Sequence, residues 1–175
     1  QLVQATGPFV GDPDETFQYD PAGNRLLRDG EAFTAIHDQA NRLLENQDAC
    51  FSYDLNGNLI EKQQKIGGAC TGALTEYTYN PENQLIQVAV DGNPIADFRY
   101  DALGRRIQKE TTVGTQKYIY DGVDIVLEYD ASDQLQASYL HSLNIDEPLL
   151  MRRDQDADGS FEADDNFYYQ ADRLG

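Results

Sequence analysis

Phe98-Arg99-Tyr100-Asp101-Ala102-Leu103-Gly104-Arg105-Arg106-Ile107 decides the fold. Aromatic and polar residues alternate up to Tyr100, the period-2 signature of a half-buried strand. Asp101 then suits the first position of a type I β-turn, because its carboxylate can accept a backbone hydrogen bond from two residues on. Gly104 suits the fourth position, where a positive φ is often needed. The residues from Arg105 onward lead out as a return strand, so the unit is a β-hairpin.

The same grammar recurs in both directions. Upstream, Phe17-Gln18-Tyr19 enters Asp20-Pro21-Ala22-Gly23, and Pro21 pre-sets φ at the second turn position. A degenerate copy places His37 in the tyrosine slot, begins its turn at Asp38 and replaces the glycine with Asn41, a residue that also visits left-handed φ/ψ. Further copies turn at Asp54 to Gly57, Asn80 to Asn83, and Asp130 to Asp133, with a variant at Tyr120-Asp121-Gly122. First turn positions fall at 20, 38, 54, 80, 101 and 130, a spacing of about 20 residues, or one hairpin plus a connection. A period of that length marks a repeat architecture, whose units must lie beside one another to bury their apolar faces. The expected fold is all-β: tandem hairpins forming a long curved antiparallel sheet, either an open strip or part of a shell. A helical repeat is opposed by the turn residues and by the Tyr-x-Tyr alternation.

The net charge of −18 and pI near 4.2 disfavour a phosphate-backbone partner, so no nucleic acid is expected. No apolar run reaches membrane-spanning length. No charged-then-apolar leader precedes Gln1, which reads as a chain already processed or excised from a longer one. Tyrosine enrichment, 11 residues, fits turn-rich β structure.

The Tyr-Asp-x-x-Gly units resemble the YD repeats of the RHS family, which includes Tc-type toxin shells and the large domain of teneurins. The closest copies are Tyr19-Asp20-Pro21-Ala22-Gly23 and Tyr100-Asp101-Ala102-Leu103-Gly104. The segments Tyr118 to Asp130 and Tyr168 to Gly175 resemble the RHS core. The resemblance implies a secreted or surface protein whose repeats spiral into a hollow β-shell, often around a toxic C-terminal segment. This chain has about seven repeats where a family shell uses many more, and it stops before the self-cleaving aspartates of the core, so no protease residue is carried over. The expected division is an irregular arm over 1–15, hairpin repeats over 16–117 and a core-like segment over 118–175.

A short strip leaves unpaired strand edges, which invite another chain. Two assemblies follow: a piece of a larger shell wall, or edge-to-edge stacking of copies into a fibre. A third function class is an adhesin that presents tyrosines or acids to glycans or to a surface protein, although the alternation points the aromatics toward core and cross-strand packing.

Near the end, Asp154, Asp156, Asp158, Gly159, Ser160 and Asp165 reproduce the spacing of a calcium loop: carboxylates at positions 1, 3, 5 and 12, Gly at 6 and the Ser160 carbonyl at 7. The competing reading is a solvated acidic hairpin tip, favoured by the shorter Asp at position 12 and the strand-like flanks. Cys50 and Cys70 bracket the third hairpin, and an even count in an extracellular chain favours a disulfide over two separate thiols. His37 fills an aromatic slot and His141 has no nucleophile motif nearby, so nothing nominates an enzyme.

Overall fold

The structure is a computed structural model that describes residues 4–5, 15–28, 31–32, 35–142, 147–154, 160–162 and 164–169. Among these residues it is all-β. A first sheet runs in sequential order through β1 (Gln4–Ala5), β2 (Glu15–Tyr19), β3 (Arg25–Arg28) and β4 (Glu31–Ala32). A second has thirteen strands: β5 (Ile36–His37), β6 (Leu43–Glu45), β7 (Ala49–Tyr53), β8 (Leu59–Ile66), β9 (Ala69–Tyr79), β10 (Leu85–Val90), β11 (Asn93–Tyr100), β12 (Arg106–Thr111), β13 (Gly114–Asp121), β14 (Asp124–Tyr129), β15 (Leu135–His141), β16 (Pro148–Arg153) and β17 (Asn166–Tyr168). Its spatial order is its sequence order, with no crossover and with β5 and β17 at the ends, so it does not close into a barrel.

Strand pairing is seen at both ends of the expected hairpin region 16–117. Inside the arm expected to be irregular over 1–15, Gln4 and Ala5 pair with Thr16 and Glu15, because the outer edge of β2 carries unsatisfied N–H and C=O groups that a short extended segment can meet. The expected break between residues 117 and 118 lies inside β13, where Lys117 pairs with Gln108 on one side and Tyr129 on the other. The chain divides into two compact units, Gln1–Thr78 with Ala89–Asn93, and Tyr79–Val88 with Pro94–Gly175.

The buried apolar set is small. Ala49, Ala89, Tyr118 and Ala137 are buried, and among the described residues no large side chain is fully enclosed. Leu55, Leu103 and Val113 at turn tips, and Ile119 and Leu140 on strands, stay exposed. Apolar burial at about 25 cal/mol per Å² therefore contributes little to choosing the strand register, and the turns must set it.

They do so with one repeated geometry. Each turn is a type I turn closed by a residue of positive φ, which makes a G1-type bulge and shifts the register at the residue before the turn acid. The shifts fall at Tyr19, His37, Tyr53, Tyr100 and Tyr129. The closing residues are Gly23, Asn41, Gly57, Asn83, Gly104 and Asp133, with φ between 61° and 93°. Asp133 shows that the position demands a backbone angle and that glycine is only the easiest way to meet it.

At Gly57 (φ 90°) an added Cβ meets nothing within 4 Å, so the cost of substitution there is one of conformation and not of space. Gly57→Asn is expected to be tolerated, as Asn41 and Asn83 are, whereas Gly57→Val should lose about 1–2 kcal/mol in urea unfolding. Equal losses for both variants would mean that φ does not set the requirement.

Candidate functional site

The recurring site is the turn itself. In the fifth copy the Asp101 N–H donates to the Arg105 carbonyl (2.9 Å) and the Gly104 N–H to the Asp101 carbonyl (3.0 Å). Asp101 Oδ1 accepts from the N–H groups of Leu103 and Arg105, both at 2.9 Å. Asp38, Asp54, Asn80 and Asp130 repeat this arrangement. At Asp20 the Asn24 N–H donates to Oδ1 at 2.8 Å. One side-chain oxygen thus satisfies two amide protons that the bend takes out of the strand ladder.

The second oxygen selects the residue four positions on, a regularity that sequence reading missed. Asp20 Oδ2 accepts from Asn24 Nδ2 (2.9 Å), Asp38 Oδ2 from Arg42 Nε (2.6 Å), Asp54 Oδ2 from Asn58 Nδ2 (2.9 Å) and Asp101 Oδ2 from Arg105 Nε (2.7 Å). Where the turn begins with Asn80 the polarity reverses, and Asn80 Nδ2 donates to Gln84 Oε1 (2.7 Å). Read down the sequence, the residues at this offset are Asn24, Arg42, Asn58, Gln84, Arg105 and Gln134, all amides or guanidiniums. That row was the available signal.

The same side chains reach the next turn along. Asn24 Nδ2 donates to Asn41 Oδ1 (2.7 Å), Arg42 to the Asp54 carbonyl (3.3 Å), Gln84 to the Gly104 carbonyl (3.3 Å) and Arg105 to the Gly122 carbonyl. Arg42 also lies over the Tyr53 ring (5.1 Å) and Arg105 over Tyr120 (4.7 Å), within cation–π range. A second latch runs backward from the repeat tyrosines. The hydroxyls of Tyr53, Tyr100 and Tyr120 donate to the carbonyls of Leu43, Leu85 and Arg106, each five residues past the first residue of an earlier turn, Asp38, Asn80 and Asp101.

Unit Tyr79–Val88 with Pro94–Gly175 holds a third arrangement, across β14, β15 and β16. Glu128, 8% exposed, accepts from the Tyr139 hydroxyl (2.8 Å) and from Arg153 Nη2 (2.9 Å), and the same Nη2 lies 3.2 Å from the Tyr139 oxygen. Burial and the bond to Glu128 push the Tyr139 hydroxyl up to about 12. The ring is a structural clamp, since both proton positions are fixed by mutual bonding.

Of the expected calcium ligands, Asp154 and Asp165 are buried, at 8% and 4% exposed, and adjacent, the Arg153 N–H donating to the Asp165 carbonyl (3.0 Å). Asp165 Oδ2 accepts from the Glu162 N–H (2.9 Å), and Ser160 is exposed. Asp156 and Asp158 lie outside the described residues. No group of three metal-ligating side chains occurs among the described residues. Cys50 and Cys70 are joined as a disulfide between β7 and β9, with Cα atoms 6.1 Å apart, in the usual range. His37 is half-buried in β5 opposite Leu43.

Residues 1–155 match the teneurin YD-shell family. The chain belongs to that family. Among curated relatives, the YD-shell chain is 33% identical over 135 residues to the tRNA3(Ser)-specific nuclease WapA of Bacillus spizizenii, covering 71% of this chain and 5% of that protein. It is 35% identical over 127 residues to the double-stranded DNA deaminase toxin A of Burkholderia cenocepacia, covering 65% of this chain and 8% of that protein. A crystal structure of TcdB2-TccC3-TEV aligns with a TM-score of 0.49 at 15% identity, over 81% of this chain and 8% of the other. The YD-shell chain therefore spans under a tenth of the length of these relatives.

Hydrogen bonding holds four of the turn acids below the ordinary carboxyl value. The donors are the Asn24 side chain at Asp20, the Arg42 N–H at Asp38 and the Asn58 side chain at Asp54. At Asp101 desolvation pushes upward, but the Arg105 N–H and guanidinium outweigh it. A lowered native pKa gives stability that is present above the unfolded value of about 3.9 and lost as pH falls through the folded one. Urea midpoints are accordingly expected to be level above about pH 5 and to drop below about pH 4. Asp54→Asn should keep the turn, with Asn58 flipping its amide to mirror the Asn80–Gln84 pair, and should make the acid limb shallower. An unchanged limb would remove the turn acids from the explanation.

Proposed function

We propose that this chain is a wall segment of an RHS-type toxin shell, that its role is structural, and that the nuclease and deaminase activities for which its relatives are named reside elsewhere in such proteins. The observation that carries the reading is the turn-to-turn ladder, in which Asn24, Arg42, Gln84 and Arg105 each reach the next turn and Tyr53, Tyr100 and Tyr120 each bind back to the copy before. Such a unit is built to continue. The YD-shell match and the small covered share of the relatives support the same reading, as do the exposed apolar strand residues, which further chain would cover. Secretion or surface display follows from this assignment. Negative-stain images of the native protein should show hollow particles, and an antibody against an epitope in residues 79–142 should decorate their wall. Solid filaments would replace the shell by edge-to-edge stacking, and compact monomers would remove both.

Calcium at the acidic loop belongs to the same reading as a stiffener of the wall. The spacing of Asp154, Asp156, Asp158 and Asp165 supports it, together with the burial of the first and last of these acids in a chain of net charge −18. The ion would relieve repulsion among the carboxylates and fix the loop. Chelator is expected to lower the melting temperature by several degrees and to open the chain to protease near Asp158. Identical melting curves and digestion patterns with and without chelator would dismiss the ion.

A further inference from the structure

We infer that the cleft between the β13–β14 turn and β15 is a binding site for a guanidinium group, as carried by an arginine side chain of a peptide. The cleft encloses about 500 Å³ and is lined by Asp124, Glu128, Tyr139, His141 and Tyr169, among others. Asp124 Oδ1 and His141 Nδ1 are both buried, and neither meets a hydrogen-bond partner among the described residues. A buried carboxylate oxygen without a donor is unfavourable, so the site gains most from a ligand rich in N–H groups. The walls narrow the choice. The Tyr139 and His141 rings lie 6.3 Å apart, centroid to centroid, and tilted by 32°, while Tyr169 is half exposed at the rim. Aromatic faces beside a carboxylate suit a planar cation, which can stack and donate in the same pose.

The chain already uses that pairing. Arg42 covers Tyr53, Arg105 covers Tyr120 and Arg106 covers Tyr118, and the guanidiniums of Arg42 and Arg105 also bind a carboxylate. Two guanidiniums border the cleft, Arg105 over the Tyr120 ring and Arg153 on Glu128, and the acid that neither of them reaches is Asp124, whose Oδ1 is without a partner among the described residues. The net charge of −18 draws a cation toward it. Glu128 is occupied by Arg153 and Tyr139, so Asp124 is the acid that receives the ligand and Glu128 holds the Tyr139 ring in place. This inference concerns a ligand of the finished surface and does not depend on the shell assignment.

The test is an NMR titration of the 175-residue protein with N-acetyl-arginine methylamide, read at the His141 imidazole and at the tyrosine rings. Millimolar binding is expected, weakened by salt, and about tenfold weaker for Asp124→Asn. The citrulline analogue, which keeps the shape and loses the charge, should not bind, and the lysine analogue should bind less well than arginine. Tyr169→Leu, at an exposed rim position, tests the stacking wall without disturbing the fold and should weaken binding severalfold, while Glu82→Gln outside the cleft should leave it unchanged. Equal affinity for the citrulline analogue, unaltered binding by Asp124→Asn in a protein with native chemical-shift dispersion, or no shift of His141 at any ligand concentration would each overturn the assignment. Preferential binding of a methyl glycoside would do so as well.

Discussion

One side-chain oxygen, placed at the first position of a bend and accepting two backbone N–H groups, is the constraint on which this molecule depends. A sheet with a small enclosed apolar set has no jigsaw core to choose its register, and a slip of one residue would turn every side chain to the wrong face. Here the register is fixed at the bends. The acceptor at Asp38, Asp54, Asn80, Asp101 or Asp130 sets where the chain reverses, and the positive-φ residue three places on forces the bulge that offsets the strands. Both ends of the hairpin are constrained, since the opposite turns are tight and glycine-bearing, at Gly67 and Gly68 and at Asp91 and Gly92. Asp91 adds a tie to β9, its carboxylate accepting from the Leu74 N–H at 2.9 Å.

The amide at Asn80 separates geometry from charge. It makes both backbone bonds that the aspartates make, and its remaining nitrogen finds the Gln84 carbonyl. A negative charge is therefore not required for the bend. What the charge adds is a strong acceptor for a guanidinium at the fourth position on, and Arg42 and Arg105 use it to stand upright at the strand end, where their outer nitrogens reach the next turn. Ion pairs of this kind, open to solvent screening, contribute little as isolated contacts. Their value lies in direction: a guanidinium pinned by a carboxylate is pre-oriented for the neighbouring carbonyl and tyrosine ring, so the entropy of fixing the side chain is lost once and serves three contacts.

How much of this was legible in the sequence follows from the range of each interaction. The bends were readable because Asp101 and Gly104, or Asp38 and Asn41, act within four residues of each other, and the chemistry of a turn is local. The row of amides and guanidiniums from Asn24 to Gln134 was equally local but was hidden by the variety of residue types, which share only an N–H donor on a reach of similar length. Asp133 was readable by its spacing as the fourth turn residue, although an acid stands there at a φ of 62°. The tyrosines were recognised as strand aromatics, yet the hydroxyl role of Tyr100 depends on Leu85, fifteen residues back and one hairpin over. The clamp of Glu128, Tyr139 and Arg153 spans 25 residues and three strands, and no periodicity announces it.

The contrast between ladder and clamp explains why the structure changes character along its length. Through the repeats the links start from one recurring position, four residues past the first turn residue, and end on the next turn, so the donor of a link recurs from copy to copy. Glu128, Tyr139 and Arg153 occupy positions that no earlier copy reproduces. Glu128 uses both carboxylate oxygens within this set, Oε1 for the Tyr139 hydroxyl and Oε2 for Arg153, and the two partners also touch each other. Such a closed ring favours one arrangement of β14, β15 and β16 over any register-shifted alternative, because a slip would strand a buried charge at a cost of several kcal/mol. The repeats propagate order and the clamp pins it, and it is beside the clamp that Asp124, with a buried oxygen unpartnered among the described residues, lines a cleft together with the Tyr139 and His141 rings.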